Sequence, residues 1–232
     1  MLPASIAQSL ERTDLSELEL AGVGCFAQVF KVADTGLVIK PTFDHPVVGD
    51  LQQSEKRIYE RLGSHPYILR YYGEYCGGGG LSSGLVFEHH PAGTLADSLD
   101  LSKYPNQRSQ WSVQAAEALR YIHSKNVIHS DFGSHNFLVQ QNGSLVLADF
   151  GGSIIDDDMA VVSYSTRYAR PDCDPDISTE VDDVFALDTV LYEITTGHLL
   201  YPDHPSKEMR FLLKQRRFSD LGDVPQTLRV VI

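Results

Sequence analysis

Two aspartates and one asparagine in the second half of the chain have the residue types and spacing that suit a metal ion. Asp131 follows His129-Ser130, Asn136 comes five residues later, and Asp149 opens the triplet Asp149-Phe150-Gly151. Converging oxygens of this kind leave like charges in contact unless a cation lies between them. Magnesium suits such a set, because it takes hard oxygen ligands together with substrate phosphates. Each residue alone is more simply a solvated turn residue, so the prediction depends on all three together.

Two short strands are predicted to bring these three residues together. The apolar runs 137–139 and 145–148 are typical of strands, and Asn142-Gly143 between them is typical of a hairpin turn. When the strands pair, the two aspartates and the asparagine fall at the mouth of one small hairpin. The sequence therefore predicts one magnesium site at that place.

A turn with two glycines in the first half of the chain is a second candidate site. Residues 22–29 read Gly-Val-Gly-Cys-Phe-Ala-Gln-Val between two apolar runs. Glycines let a backbone approach a phosphate closely and point N–H groups at it. Taken alone, the segment is more simply an ordinary hairpin turn. A dinucleotide-binding turn is disfavoured, because it needs a helix after the glycines, whereas residues 29–32 are typical of a second strand.

A lysine at the end of an apolar run is the third candidate. Lys40 closes the run 37–40, and a solvated strand end is the simpler interpretation of Lys40 alone. A buried ammonium needs a partner, and the following helix carries both Glu55 and Glu60. The sequence leaves the choice between these two glutamates open. A lysine paired in this way holds its ammonium against the α- and β-phosphates of a nucleotide.

Hydrophobic patterning divides the chain near residue 90 into two differently built halves. The first half has short apolar runs and one helical stretch, and the second half is mainly helical, which predicts an α+β fold. In the first half, strands are predicted at 18–22, 29–33, 37–40, 68–75 and 84–88, a helix near 50–62 and a flexible hairpin loop at the tetraglycine 77–80. In the second half, an amphipathic helix is predicted at 107–124, with Trp111, Ala115, Ala118, Leu119 and Ile122 on one face. A helix that is apolar nearly all round is predicted at 184–194.

Composition narrows the classes of function. The 232 residues, 42% of them hydrophobic, suffice for one large domain or two small lobes. A net charge of −12 argues against nucleic-acid binding. No apolar stretch approaches the roughly 20 residues of a membrane helix, and no export signal is evident. Three cysteines without CxxC spacing predict neither disulfides nor zinc, and a cytoplasmic or nuclear setting is expected.

Taken in order, these segments resemble the eukaryotic protein kinase family from about Leu18 to the C-terminus. The resemblance implies a two-lobed kinase fold, with an N-terminal extension at 1–17, an N-lobe at 18–88 and a C-lobe at 89–232. It also implies ATP and Mg²⁺ as cofactors and a protein as substrate. The residues that match ATP-binding positions of the family are Gly22, Gly24, Ala27, Val29, Lys40, Glu55, Glu88 and His90. Asp131 and Lys40 match catalytic residues, and Asn136 and Asp149 match metal ligands. Phe87 matches the gatekeeper, residues 168–172 resemble the Ala-Pro-Glu segment, and Asp183 matches the buried anchor of the catalytic loop.

Several positions depart from the family pattern. Ser130 replaces the arginine that pairs with an activation-segment phosphate, and Gly133 stands where serine/threonine kinases carry a lysine. Losing one such donor typically costs about 10²–10³ in rate, and His135 is a partial substitute. Val38 replaces a smaller alanine. The family's last helices and the arginine partner of Asp172 are expected to be missing from the C-lobe, which exposes apolar surface near Phe211.

Three functions remain open at this point. The first is slow transfer of the γ-phosphate of Mg-ATP to a protein serine or threonine, a preference based only on Ser165 and Thr166 ahead of Tyr168. The alternative is a pseudokinase that binds ATP or a protein with little or no turnover. A small-molecule phosphotransferase is the third, because aminoglycoside- and choline-kinase-like enzymes use a similar His-x-Asp motif with a later asparagine. Asp149-Phe150-Gly151 and the segment 168–172 argue against it.

Without an arginine at position 130, phosphorylation at Ser163, Tyr164, Ser165 or Thr166 is not expected to act as a simple on-switch. Alanine variants of the two serines and the threonine should therefore keep turnover close to that of the parent. Steady-state transfer rates measure this, and a large loss in any variant would defeat the prediction.

Overall fold

The computed structural model describes residues 2–13, 18–24, 27–42, 46–77, 83–100, 103–104, 106–156, 162–174, 177–215 and 217. The chain divides into two compact units, 1–90 and 91–232. Two predicted features lie outside the described residues, namely most of the tetraglycine loop and the last segment of the chain, where the family's final helices were expected to be missing. In the described part of the chain, no helix has the length and apolarity needed to cross a membrane.

The first unit is an antiparallel five-stranded sheet with two helices. Its strands follow the order β1-β2-β3-β5-β4. The elements are α1 (Ala4–Glu11), β1 (Glu19–Val23), β2 (Gln28–Val32), β3 (Leu37–Pro41), α2 (Pro46–Leu62), β4 (Tyr71–Tyr75) and β5 (Gly84–Glu88). Each predicted strand is present within a few residues of its expected bounds. Central β3 is buried along most of its length because it pairs with both β2 and β5.

Helix α1 packs on this sheet. The sequence predicted only an N-terminal extension at 1–17, without a helix that contributes to the core. Leu10 is completely buried, in one apolar cluster with Val32, Ile39 and Val86 of the sheet. Leu2 and Ile6 are partly buried against the same cluster. Ile6 and Leu10 are four positions apart, which places them on one face of the helix, and Leu2 lies just before its first residue. The first helix therefore completes the core of the unit.

The described residues of the second unit are mainly helical, with two pairs of short strands and one isolated bridge. Its elements are α3 (Arg108–His123), β6 (Val127–Ile128), β7 (Phe137–Val139), β8 (Leu145–Leu147), β9 (Ile154–Ile155), α4 (Glu180–Thr196) and α5 (Ser206–Lys214). Strand β7 pairs with β8 as predicted, and β6 pairs with β9, which was not foreseen. The additional isolated bridge joins Thr94 to Leu138.

Helix α3 buries the face that its spacing predicts. Trp111, Ala115, Ala118, Leu119 and Ile122 are all at most 3% exposed. The indole Nε1–H of Trp111 donates to the carbonyl of Gly143 over 2.7 Å, and the side-chain oxygen of Gln114 accepts the N–H of Leu145. These bonds fix the turn of the β7–β8 hairpin against the helix, so the position of the hairpin depends on α3.

Helix α4 is only partly as predicted. The Asp182 carboxylate accepts the N–H of Thr179, the residue before the helix, and Gly197 ends the helix with a φ of 80°. Its apolar pattern over 184–194 suggested burial on all sides, but Val184 is 45% exposed. The buried side of the helix carries carboxylates, including Asp183 and Glu193, beside apolar residues such as Ala186 and Val190. Periodicity alone missed this, because the polar residues that bond the loops lie on the buried face.

Replacing Leu10 by alanine should lower the free energy of unfolding by roughly 2–5 kcal/mol, because it empties a fully buried site beneath the sheet. Chemical denaturation measures the change. Gln8→Ala, on the exposed side of the same helix, is the matched control and should have little effect. Equal unfolding midpoints for the two variants would show that α1 does not contribute to the core.

Candidate functional site

The β7–β8 hairpin places Asn136 and Asp149 at its open end. Phe137 lies opposite Leu147, and the N–H of Ala148 donates to the carbonyl of Asn136 over 2.8 Å. Asp149 therefore follows the residue directly across from Asn136. Its side chain is exposed, and its φ of 59° lies in the left-handed region that aspartate tolerates better than most residues.

Asp131 is bonded to Asn136 at the same place. The Asn136 amide Nδ2 donates to the Asp131 main-chain oxygen at 2.8 Å and lies 3.4 Å from the carboxylate Oδ2. With its nitrogen used in this way, Asn136 keeps its amide oxygen as an acceptor. The structure thus brings Asp131, Asn136 and Asp149 to one hairpin mouth.

The donor set at the hairpin fits a divalent ion that also binds phosphates. Asn136 and Asp149 offer hard oxygen atoms, and Mg²⁺ typically takes only one or two protein ligands beside phosphate and water. Among the described residues, no group of three or more His, Cys, Asp or Glu side chains could hold a metal. The chemistry of the two donors therefore suits a magnesium ion that arrives with a nucleotide.

Asp183 of α4 fixes the loop that carries Asp131. Its carboxylate is completely buried and accepts the N–H groups of His129 at 2.9 Å and Ser130 at 3.2 Å. His123 Nε2, on α3, lies 2.8 Å from the same carboxylate. Ser130 has a φ of 65° and is fully buried. The carboxylate therefore joins α3 and α4 to the loop that carries Asp131.

Tyr164 is a further partner of Asp183 that sequence reasoning missed. Its hydroxyl donates to Asp183 Oδ1. Burial raises the pKa of the Tyr164 hydroxyl, and the nearby Asp183 charge raises it further, so the phenol stays protonated as a donor. Residues 163 and 165, on either side of it, are exposed serines. No local sequence signal marks this bond, because its partners are 19 residues apart.

Tyr168 is the centre of a second buried network. Its hydroxyl donates to Glu193 over 2.9 Å and lies 2.7 Å from the Ser134 hydroxyl. Burial raises the pKa values of both Tyr168 and Glu193.

Arg170 pairs with Asp182 at 2.7 Å. Asp172, whose family partner was expected to be missing, is exposed to solvent.

In the first unit, Lys40 pairs with Glu55. Lys40 Nζ is 2.7 Å from Glu55 Oε2, and the side chains are 13% and 2% exposed. Glu60, the other candidate, is exposed. The amide of Gln52, one turn earlier on α2, donates to the main-chain oxygen of Lys40 at 2.8 Å. Helix α2 thus holds both the side chain and the backbone of this lysine.

The glycine turn joins β1 to β2. Gly22 lies opposite Val29 in the pairing, and the N–H of Gly24 donates to the carbonyl of Ala27 over 2.8 Å. No heavy atom lies within 4 Å of a Cβ built on Gly22. Cys25 and Phe26 lie outside the described residues. The predicted turn is therefore present in its flanks, as a hairpin rather than a strand-to-helix turn.

Phe87, the expected gatekeeper, lies in β5, and Glu88, His89 and His90 follow it. The Phe87 ring packs against Tyr59 and Tyr71, with centroids 4.9 and 5.5 Å away. The main-chain N–H of His89 donates a hydrogen bond to the carbonyl of Gly36 over 3.0 Å. Burial lowers the pKa of His90, although Glu88, 3.8 Å away, acts in the opposite direction.

Comparison with known proteins agrees with these features. The family model described as Protein kinase domain matches residues 15–227. Aurora kinase A-A and Aurora kinase A-B of Xenopus laevis are each 41% identical over 92 residues, which is 39% of this chain and 22% of each relative. The chain thus matches less than a quarter of the length of these curated relatives. The predicted α+β kinase fold and the family resemblance are confirmed, and the chain belongs to the protein kinase domain family.

Proposed function

We propose that this chain transfers the γ-phosphate of Mg-ATP to a protein serine or threonine hydroxyl. The observation that carries the proposal is that each of the two compact units of the chain holds a group of polar residues in defined contact with one another. One is the buried ion pair of Lys40 and Glu55, and the other is the hairpin group of Asp131, Asn136 and Asp149. We also propose 18–88 as the N-lobe and 89–232 as the C-lobe, close to the unit boundary after residue 90.

Lys40 serves to bind the α- and β-phosphates. Its ammonium is nearly buried, and Glu55 compensates the charge and fixes the direction of the side chain. A lysine held in this way binds phosphate oxygens without first losing side-chain freedom. Gly22, Gly24 and Ala27 are proposed to cover the phosphates, Val29 to pack on the adenine, and Glu88 and His90 to meet the base.

Asp131 serves to orient the acceptor hydroxyl and accept its proton. Asn136 and Asp149 would hold magnesium through their side-chain oxygens, and a bound magnesium supplies neutralisation of the charge that develops on the phosphates. Asn136 also donates to Asp131, so one amide connects the metal ligands to the residue that orients the hydroxyl. The preference for serine and threonine rests on Ser165 and Thr166 ahead of Tyr168.

A nucleotide-binding pseudokinase is the second candidate function. The observation in its favour is Gly133, which provides no cation two residues after Asp131. Loss of one preorganised donor lowers the rate by about 10²–10³, which leaves slow transfer or none. The two candidates differ in turnover and agree on nucleotide binding.

Both candidates predict that Mg-ATP stabilises the protein, by roughly 2.7 kcal/mol at a hundredfold excess over the dissociation constant. Transfer to a peptide mixture should be lost in Asp131→Asn, which should still bind nucleotide. Asp149→Asn should instead lose the magnesium dependence of binding. Asp203→Asn, an exposed aspartate between α4 and α5, is the matched control and should behave like the parent.

The outcomes of this experiment separate the functions. Binding without any Asp131-dependent transfer identifies the pseudokinase, and transfer to small alcohols rather than to peptides identifies a small-molecule phosphotransferase. If calorimetry detects no magnesium-dependent ATP binding to folded protein, both candidates fail.

Tyr164→Phe removes the hydroxyl that bonds to buried Asp183, and we expect it to lower the free energy of unfolding by roughly 1.5–3 kcal/mol, the usual range for a hydrogen bond to a charged group. Turnover should fall with it, because Asp183 also holds the loop of Asp131. Tyr104→Phe is the control, since its hydroxyl makes no hydrogen bond with the described residues. Parent-like stability and turnover of Tyr164→Phe would show that the bond has no role in either.

A further inference from the structure

The imidazole of His135 lies against Asp131 and over the backbone of Gly133. His135 Nε2 is 3.2 Å from Asp131 Oδ2. A Cβ built on Gly133 would lie 2.5 Å from Cε1 and 2.7 Å from Nδ1 of the imidazole, and contacts below 3.0 Å are essentially never found. The φ of Gly133 is −175°, which any residue adopts, so space rather than backbone strain requires glycine here. A side chain at position 133 and this placement of His135 exclude each other.

Tyr168 holds the other side of the imidazole. The two ring centroids are 5.4 Å apart, with 45° between the ring planes. A Cβ on Gly133 would also lie 2.9 Å from Tyr168 Cε2. Tyr168 is itself fixed by its hydrogen bonds to Ser134 and buried Glu193. The imidazole is therefore packed against a ring that has little freedom to move.

His135 and Asn136 contact the same oxygen of Asp131. Asn136 Nδ2 lies 3.4 Å from Oδ2, the oxygen that faces His135 Nε2. The amide nitrogen of Asn136 and the ring nitrogen of His135, both close to one oxygen, limit the rotation of the carboxylate. Its other oxygen, Oδ1, is then kept in a constant direction. For a residue that accepts the proton of a substrate hydroxyl, that direction decides how often the reactive geometry is reached.

We propose that His135 is a positioning residue for phosphoryl transfer: with its proton on Nε2, it donates to Asp131 Oδ2 and holds the carboxylate in its reactive orientation. Gly133 provides the space for the imidazole. The missing side chain at position 133 and the histidine at position 135 are thus one arrangement, rather than a loss and an unrelated substitution. The inference rests on the proposed kinase function.

The catalytic arm of the test compares His135→Ala and His135→Gln with the parent. His135→Ala should lower kcat by roughly 10–100-fold, the usual effect of removing a group that orients a functional residue, with KM for ATP and the Mg-ATP dissociation constant nearly unchanged. His135→Gln places an amide N–H near the position of Nε2 and should recover most of the loss. His198→Ala, an exposed histidine that also contacts a tyrosine ring, is the matched control and should keep kcat.

The packing arm uses nucleotide-free protein and no activity. Gly133→Ala should lower the melting temperature of the parent, because its Cβ would collide with the imidazole. The same substitution in the His135→Ala background should lower it less, since only the contact with Tyr168 remains. Unequal shifts in the two backgrounds are the signature of coupled residues.

Different failures have different meanings. A parent-like kcat in His135→Ala, or a His135→Gln variant as slow as the alanine variant, overturns the positioning role. Equal melting shifts in the two backgrounds overturn the link to Gly133. A parent that binds Mg-ATP without Asp131-dependent transfer contradicts the kinase proposal and with it the positioning role, and the melting arm then still decides whether residues 133 and 135 are coupled.

Discussion

The buried carboxylate of Asp183 is the interaction on which the second unit depends. A fully buried charge is stable only when its oxygens are well supplied with donors. Here they face two backbone N–H groups, at His129 and Ser130, a histidine on α3 and the hydroxyl of Tyr164. The Asp183 carboxylate therefore fixes the loop that carries Asp131 against two helices. It also fixes the segment around Tyr164. The position of Asp131 follows from it, since Asp131 comes directly after the second of those N–H groups.

Around that anchor, two positions depart from the family pattern. Ser130 stands where the family carries an arginine, and the segment after β9 is held through a phenol, Tyr164, which donates to the anchor directly. Gly133 stands where a lysine is usual, and an imidazole lies over it. Asp131, Asn136 and Asp149 are present at the hairpin, while Ser130 and Gly133 near them differ from the family pattern.

The first unit has a comparable constraint in the pair of Lys40 and Glu55. The lysine lies on a strand that is buried by its neighbours, so its ammonium requires a close partner, and Glu55 lies 2.7 Å away. Glu55 and Glu60 are five positions apart and so lie on different sides of α2. Only the side that packs on the sheet can pair with the lysine. Helix α1 packs through Leu10 on an apolar cluster that includes Ile39, the strand neighbour of Lys40, and neighbouring residues of a strand point to opposite faces of the sheet.

The sequence by itself determined what depends on neighbouring residues. Alternating and helical apolar patterns located the strands and main helices, the Asn142-Gly143 turn located the hairpin, and the ordered motif spacing identified the family and placed Asp131, Asn136 and Asp149 together. Tertiary structure alone decided that Tyr164 bonds to Asp183, that Glu193 of α4 bonds to Tyr168, and that His135 lies over Gly133. For Lys40, the local pattern left Glu55 and Glu60 open, the family resemblance favoured Glu55, and the structure shows that pair. These contacts depend on how the elements pack against one another, or on the space that a missing side chain leaves. Local periodicity predicts neither of these, because it reports only the secondary structure of a segment.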